Sequence, residues 1–173
     1  MSKEEKKVNR RDFLFTASYT IGAVGVGAVV WPLVHQMNPD KAQQALATTE
    51  VDISQVEPGN SITVLWRGKP VFIKRRTSEE ITEARSINLT ELPDPQKDEE
   101  RVKEGKDEWL VMIGVCTHLG CVPLKDKGDY NGWFCPCHGS HYDGSGRIRK
   151  GPAPKNMEIP KFAFVDNNTI KIG

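Results

Sequence analysis

Four cysteines and three of the four histidines of this 173-residue chain fall within 27 residues, Cys116 to Tyr142. They form two boxes, Cys116-Thr117-His118-Leu119-Gly120-Cys121 and Cys135-Pro136-Cys137-His138-Gly139-Ser140-His141-Tyr142. Each box offers a Cys and a His close together, Cys116-x-His118 and Cys135-x-x-His138, and 16 residues separate His118 from Cys135. Such spacing suits two tight loops at the tips of two hairpins, each giving one thiolate and one imidazole to a shared site. Thiolates select zinc or iron–sulfur chemistry, and imidazole suits zinc or iron.

Structural zinc is the first alternative. A tetrahedral site takes four ligands, and the stretch offers seven candidates. Zinc fingers and ribbons show helical histidine spacing or paired C-x₂-C knuckles, and C-x-H-x₂-C supplies neither. A plain disulfide scaffold gives no reason for histidines beside cysteines.

C-T-H-L-G-C followed by C-P-C-H-G-S-H-Y-D resembles the Rieske iron–sulfur proteins of bacterial cytochrome bc1 complexes. The resemblance implies a [2Fe–2S] cluster, one per chain, with Cys116 and Cys135 on the inner iron. It places His118 and His138 on the outer, solvent-facing iron and pairs Cys121 with Cys137 in a disulfide. It also implies that Ser140 donates a hydrogen bond to a bridging sulfide and Tyr142 one to Cys116. The residue matching His138 hydrogen-bonds quinol and accepts its proton, and Leu119 and Gly120 help form an apolar docking tip. Gly151-Pro152-Ala153-Pro154 resembles the family's proline loop, which covers the cluster from a third side. His141 matches no ligand and is assigned no metal.

Two neutral imidazoles in place of two thiolates leave a cluster less negative, so it accepts an electron more readily. Rieske centres as a class span roughly −150 to +300 mV, against about −400 mV for plant-type ferredoxins. Hydrogen bonds to the sulfurs raise the potential further. Reduction also makes imidazole ligands more basic, which couples electron and proton uptake.

The elements that must position these boxes are short strands. Ile62–Trp66 and Val71–Lys74 flank Arg67-Gly68-Lys69-Pro70 as a hairpin. Thr77-Ser78-Glu79-Glu80 is a capping box opening a helix to about Ser86. Trp109–Val115 leads into the first box and Trp133-Phe134 into the second, and Asp143–Gly146 is a turn. Phe162–Val165 and Ile170–Ile172 close the chain as a hairpin. Residues 91–108, with eight acids, four bases and two prolines, are expected as an exposed loop.

Upstream, residues 13–34 run 22 positions without a charge. As a helix they span about 33 Å, enough to cross a hydrocarbon core of roughly 30 Å. Trp31 suits an interfacial anchor and Pro32 a helix end. Residues 1–12 carry Lys3, Lys6, Lys7, Arg10 and Arg11, so this end is expected in the cytoplasm. Asn9-Arg10-Arg11-Asp12-Phe13-Leu14-Phe15 resembles a twin-arginine export signal, which suits a domain that crosses the membrane already folded around its cluster. Ala45-Leu46-Ala47 looks like a cleavage site, but it lies beyond an apolar run too long for a signal peptide, which favours a retained anchor. Small residues from Ala17 to Ala28 suit packing on partner helices.

The expectation is an all-β Rieske-type head of antiparallel sheets with an inserted cluster-binding subdomain, on a single N-terminal transmembrane helix. Its parts are residues 1–12, an anchor at 13–34, a tether at 35–49 and the head at 50–173, with cluster loops at 116–121 and 135–142 and the proline loop at 151–154. A net charge of +1, with no basic aromatic-interleaved patch, argues against nucleic-acid binding. The resemblance implies the electron-transfer subunit of a quinol–cytochrome c oxidoreductase, active only within that complex. Its partners would be cytochrome b, cytochrome c1 and quinol in a dimeric complex. The head would lie on the periplasmic side of a bacterial inner membrane. The runner-up is the Rieske subunit of a periplasmic oxidase such as arsenite oxidase. A soluble ferredoxin fits less well, because it lacks the second cysteine pair and the anchor.

Overall fold

The computed structural model describes residues 9–38 and 47–173. Residues 1–8 and 39–46 lie outside the described residues. Most of the expected tether at 35–49 therefore falls outside, as do Lys3, Lys6 and Lys7. Residues 1–44 and 45–173 form two separate units.

The first unit is the helix α1, Arg10–His35. Asp12 accepts a hydrogen bond from the Asn9 N–H at 3.3 Å and places a negative charge at the helix start. The helix is apolar, has no buried residue, and is long enough to cross a membrane. It does not stop at Pro32. That ring sits in the last turn, and the Pro32 carbonyl still accepts from Gln36 N at 2.9 Å.

The second unit holds three antiparallel sheets. Strands β1 (Thr49–Asp52), β2 (Ser61–Trp66), β3 (Lys69–Arg75) and β4 (Trp109–Ile113) come first. Then follow β5 (Leu124–Lys125), β6 (Trp133–Cys135), β7 (Ser140–Tyr142), β8 (Ile148–Lys150), β9 (Phe162–Phe164) and β10 (Thr169–Ile172). The sheet orders are β1-β10-β9, β2-β3-β4 and β5-β6-β7-β8.

The β2–β3 hairpin turns at Arg67-Gly68, both with positive φ, as a type I′ hairpin turn requires. Side chains alternate across a strand, and here both faces of β3 and β4 are covered. Val71, Ile73, Trp109 and Val111 point into one core with Val51, Ile170 and Ile172. Phe72, Leu110 and Met112 point into a second core, shared with Cys116, Trp133, Cys135 and Tyr142. Phe72 stacks on Trp133 with centroids 4.4 Å apart and rings 6° from parallel. Such a pair contributes about 0.5–1.5 kcal/mol beyond burial and fastens the middle sheet to the sheet of the second box.

Helix α2, Ser78–Ser86, starts with the capping box that Thr77 and Glu80 form. Glu80 also pairs with the buried Lys74 at 2.6 Å, which holds α2 against β3.

Residues 91–108 depart from the expected exposed loop. They contain a 3₁₀ turn at Asp98–Arg101, and Leu92, Asp98 and Arg101 are buried. Charged side chains leave water here because partners receive them. Asp98 accepts from Arg76 at 2.6 Å and also pairs with the Ser145 hydroxyl. Asp143 accepts from Arg147 Nε at 2.8 Å, and Arg147 reaches Ala84 O at 2.7 Å. This buried network joins β3, α2, the 3₁₀ turn and the turn between β7 and β8.

Candidate metal centre

The end of β4 delivers the first box. Within it Cys116 N donates to Cys121 O at 2.7 Å and Gly120 N to Cys116 O at 3.0 Å. The second box turns between β6 and β7, where Gly139 N donates to Cys135 O at 3.0 Å. These two closed turns face each other. A disulfide between Cys121 and Cys137 joins them.

Cys116 and Cys135 remain free thiols, and both are buried. Above them the rings of His118 and His138 meet edge to face, with centroids 4.6 Å apart. His118 is half-buried and His138 exposed. Leu119 at the tip is 69 % exposed, an apolar side chain left facing out.

Tyr142 lies across the inner side of the first loop. Its hydroxyl donates to Cys116 Sγ at 3.2 Å and accepts from Thr117 N at 3.2 Å. Burial pushes the Cys116 thiol up, but hydrogen bonds from Tyr142 and the His118 backbone outweigh it and hold the thiol below its ordinary range. Cys135 goes the other way, because burial raises it and the neighbouring Cys116 adds to that. Burial, helped by the bond to Cys116, pushes Tyr142 up to about 12, so its hydroxyl keeps its proton at neutral pH.

The proline loop closes the third side. Ala153 is buried in the core that holds both thiols, and its N–H donates to Ser140 Oγ at 3.2 Å. Gly151 has φ +105°, and a Cβ there would overlap the Gly139 carbonyl, so the loop lies directly on the second box. Thr117 ties the first box to the same loop by donating to Lys155 O at 2.6 Å.

The structure thus gathers Cys116, His118, Cys135, His138, Ser140 and Tyr142 at one end of the second core. His141 is set apart on the outer side of β7. Its Nδ1 accepts from Asp129 N at 3.1 Å, and its ring packs on Phe134. Sequence reasoning passed over Thr117 and the backbone N–H of Ala153. The place of Thr117 between Cys116 and His118 did not announce its partner, because Lys155 lies 38 residues further along the chain.

The donor set fits a [2Fe–2S] cluster. Distance alone groups the sulfurs of Cys121, Cys135 and Cys137, within 4.8 Å of one another. Two of these are oxidised to a disulfide, and metal ligation takes a thiolate. Two buried thiols and two adjacent imidazoles remain. His118 Nδ1 is buried without a hydrogen-bond partner among the described residues. A buried imidazole nitrogen needs a partner, and a metal ion is one that it can take.

Residues 48–163 match the family model of the Rieske [2Fe-2S] domain. Residues 1–40 match that of the ubiquinol–cytochrome c reductase Fe-S subunit TAT signal. The chain is similar to ubiquinol-cytochrome c reductase iron-sulfur subunits. It is 56 % identical to that of Rhodospirillum rubrum over 170 residues, covering 95 % of this chain and 92 % of the relative. It is 54 % identical to that of Blastochloris viridis, covering 99 % and 97 %. For Rickettsia prowazekii (strain Madrid E) the identity is 52 %, covering 98 % and 96 %. A solved chain of a hyperthermophilic respiratory Complex III aligns with TM-score 0.53 and 30 % identity, covering 90 % of this chain and 97 % of that one.

Proposed function

Because the chain belongs to the family of Rieske iron–sulfur subunits of ubiquinol–cytochrome c reductase, we propose that Cys116, His118, Cys135 and His138 hold its cluster. The chain is an electron-transfer subunit of that oxidoreductase and carries a Rieske-type [2Fe–2S] cluster. The observation that carries the ligand assignment is the pair of adjacent imidazoles at the surface, above two buried free thiols. When bound, the cluster supplies a one-electron acceptor at raised potential.

The residues around it divide the remaining work. His138, the more exposed imidazole, hydrogen-bonds the quinol and takes its proton. Leu119 and Gly120 offer an apolar surface to the membrane subunit that holds the quinol. Tyr142 and Ser140 supply hydroxyl donors toward the sulfurs, and Tyr142 already points at Cys116. The disulfide and the proline loop exclude water from the inner side and keep the two boxes together.

The chain is membrane-anchored and carries a twin-arginine signal. Its N-terminus lies in the cytoplasm and its head on the periplasmic side of a bacterial inner membrane. Arg10 and Arg11 at the start of α1 support that orientation, and so does a disulfide, which persists in an oxidising compartment. Residues 13–34 are the anchor, 35–49 a tether and 50–173 the head. Cytochrome b and cytochrome c1 are the partners in a dimeric complex, and the electron passes to cytochrome c1.

Iron and acid-labile sulfide analysis of the isolated complex tests the ligand set. Cys116→Ala, His118→Ala, Cys135→Ala and His138→Ala should each lose iron, and His141→Gln should keep it. Iron retained in any of the four, or zinc in its place, overturns the assignment.

A further inference from the structure

The proline loop is held by side chains. Pro152 and Pro154 have no N–H to give, and residues 151–155 make no backbone-to-backbone hydrogen bond among the described residues. Two bonds tie the loop to the boxes, Ala153 N–H to Ser140 Oγ at 3.2 Å and Thr117 Oγ1 to Lys155 O at 2.6 Å. The residue that closes the loop is Asn156, which is 7 % exposed. Its Oδ1 reaches back eight residues to accept from Ile148 N at 2.9 Å. Its Nδ2 donates to Asp94 O at 3.0 Å and to Gln96 Oε1 at 3.3 Å, and its backbone N–H donates to Asp94 Oδ2 at 2.8 Å. The chain stays pinned beyond it. Met157 N donates to Gly146 O at 2.9 Å, and Glu158 O accepts from Ile113 N at 2.8 Å.

One amide side chain thus joins the strand that enters the loop to the residue that leaves it, and fastens both to the segment 94–96. Its carbonyl and both of its N–H groups are used. A serine hydroxyl has one hydrogen to donate and two lone pairs to accept with. Ala153 N–H takes a lone pair of Ser140 Oγ, and Ser140 is 1 % exposed. The hydroxyl hydrogen is therefore left for a partner that is not bulk water, and a cluster sulfur is one. The place of Ala153 N–H sets which way that hydrogen points.

We propose that Asn156 is a positioning residue for the cluster. It clips the proline loop at both ends and keeps Ala153 N–H on Ser140 Oγ, so that the Ser140 hydroxyl stays directed at the cluster. The same clip keeps Lys155 O on Thr117, which steadies the first box. The inference rests on the four-residue ligand assignment. The bland alternative is a core asparagine that only satisfies the Ile148 N–H and the Asp94 carbonyl.

The test is an EPR-monitored redox titration of the full-length chain in its complex, with hydrogen exchange of the Ala153 N–H measured alongside. Asn156→Ala should speed that exchange about tenfold or more. It should also lower the reduction equilibrium constant about threefold or more, where tenfold corresponds to about 59 mV for one electron. In a Ser140→Ala background, Asn156→Ala should lower the constant no further, because residues that act through one another are not additive. Asp94→Ala removes one acceptor from outside the loop and should lower the constant by less, in the same direction. A parent potential or a parent exchange rate in Asn156→Ala, with only the melting temperature lowered, overturns the proposal and leaves the core role. A full additional fall in the Ser140→Ala background overturns the route through Ser140. If Asn156→Ala does not assemble, Asp94→Ala decides, and an unchanged potential there overturns the proposal. Absence of any [2Fe–2S] signal in the parent chain overturns the ligand assignment instead.

Discussion

At the tip of the head, groups able to ligate a metal are buried without an opposite charge beside them. Cys116 and Cys135 are free thiols in an apolar core, and His118 Nδ1 is enclosed without a hydrogen-bond partner among the described residues. Trp133 Nε1, in the same core, is alike. Behind the tip, Arg76, Asp98, Asp143 and Arg147 are just as buried, yet each meets its opposite charge within hydrogen-bonding distance. Buried polar groups are normally satisfied, so the unmatched imidazole nitrogen of His118, beside two free thiols, marks where a metal belongs. Matched ones mark a support, because a buried pair is costly to break and gains little over an apolar one. The two regions share the turn at 143–146, so the support fixes the end of β7, and with it the second box.

The largest effect that would sharpen this contrast is at the tip. Cys135→Ala should abolish the [2Fe–2S] EPR signal while leaving the head folded by circular dichroism. Collapse of the fold would mean that the thiols serve the core rather than the metal. In the support, Arg76→Ala should destabilise the head by about 3–5 kcal/mol in urea titrations, since Asp98 is left buried with its charge. A loss under about 1 kcal/mol would break the distinction between the regions.

Ser140→Ala belongs to both. It strands the buried Ala153 N–H, which costs roughly 1–3 kcal/mol. It should also lower the potential while the cluster still assembles, and a potential that does not move removes this hydroxyl from tuning.

The smallest effect is in pH. Burial raises the Asp98 carboxyl, but hydrogen bonds from Arg76 and Ser145 and the nearby Arg147 charge bring it below its usual value of 3.8. A depressed carboxyl contributes stability that is full above the unfolded value and is lost as pH falls through the folded one. The stability difference between the parent and Asp98→Asn should therefore shrink as pH is lowered from about 5 toward 2. A difference that stays constant over that window would show that the charge of Asp98 does not matter.

Much of the tip was legible in the sequence because its information is local. C-T-H-L-G-C and C-P-C-H-G-S-H-Y each close their own turn, so spacing alone brings Cys and His together. Strands such as Trp109–Ile113 were legible from an apolar run, and α2 from its capping box. The support was not legible. Arg76 and Asp98 lie 22 residues apart, and Ser145 lies 47 beyond Asp98. Inside 91–108 the charges look like any solvated run. Nothing local tells Asp98 and Arg101, which are buried, from Glu99 and Glu100, which are exposed. Burial of charge is decided by partners brought in through tertiary structure.

The ligand set itself is tested most directly by pulsed EPR of the reduced chain carrying ¹⁵N-labelled histidine. Two imidazole nitrogens should show strong hyperfine coupling, unchanged in His141→Gln. Coupling to no imidazole, or loss of a coupled nitrogen in His141→Gln, would contradict it.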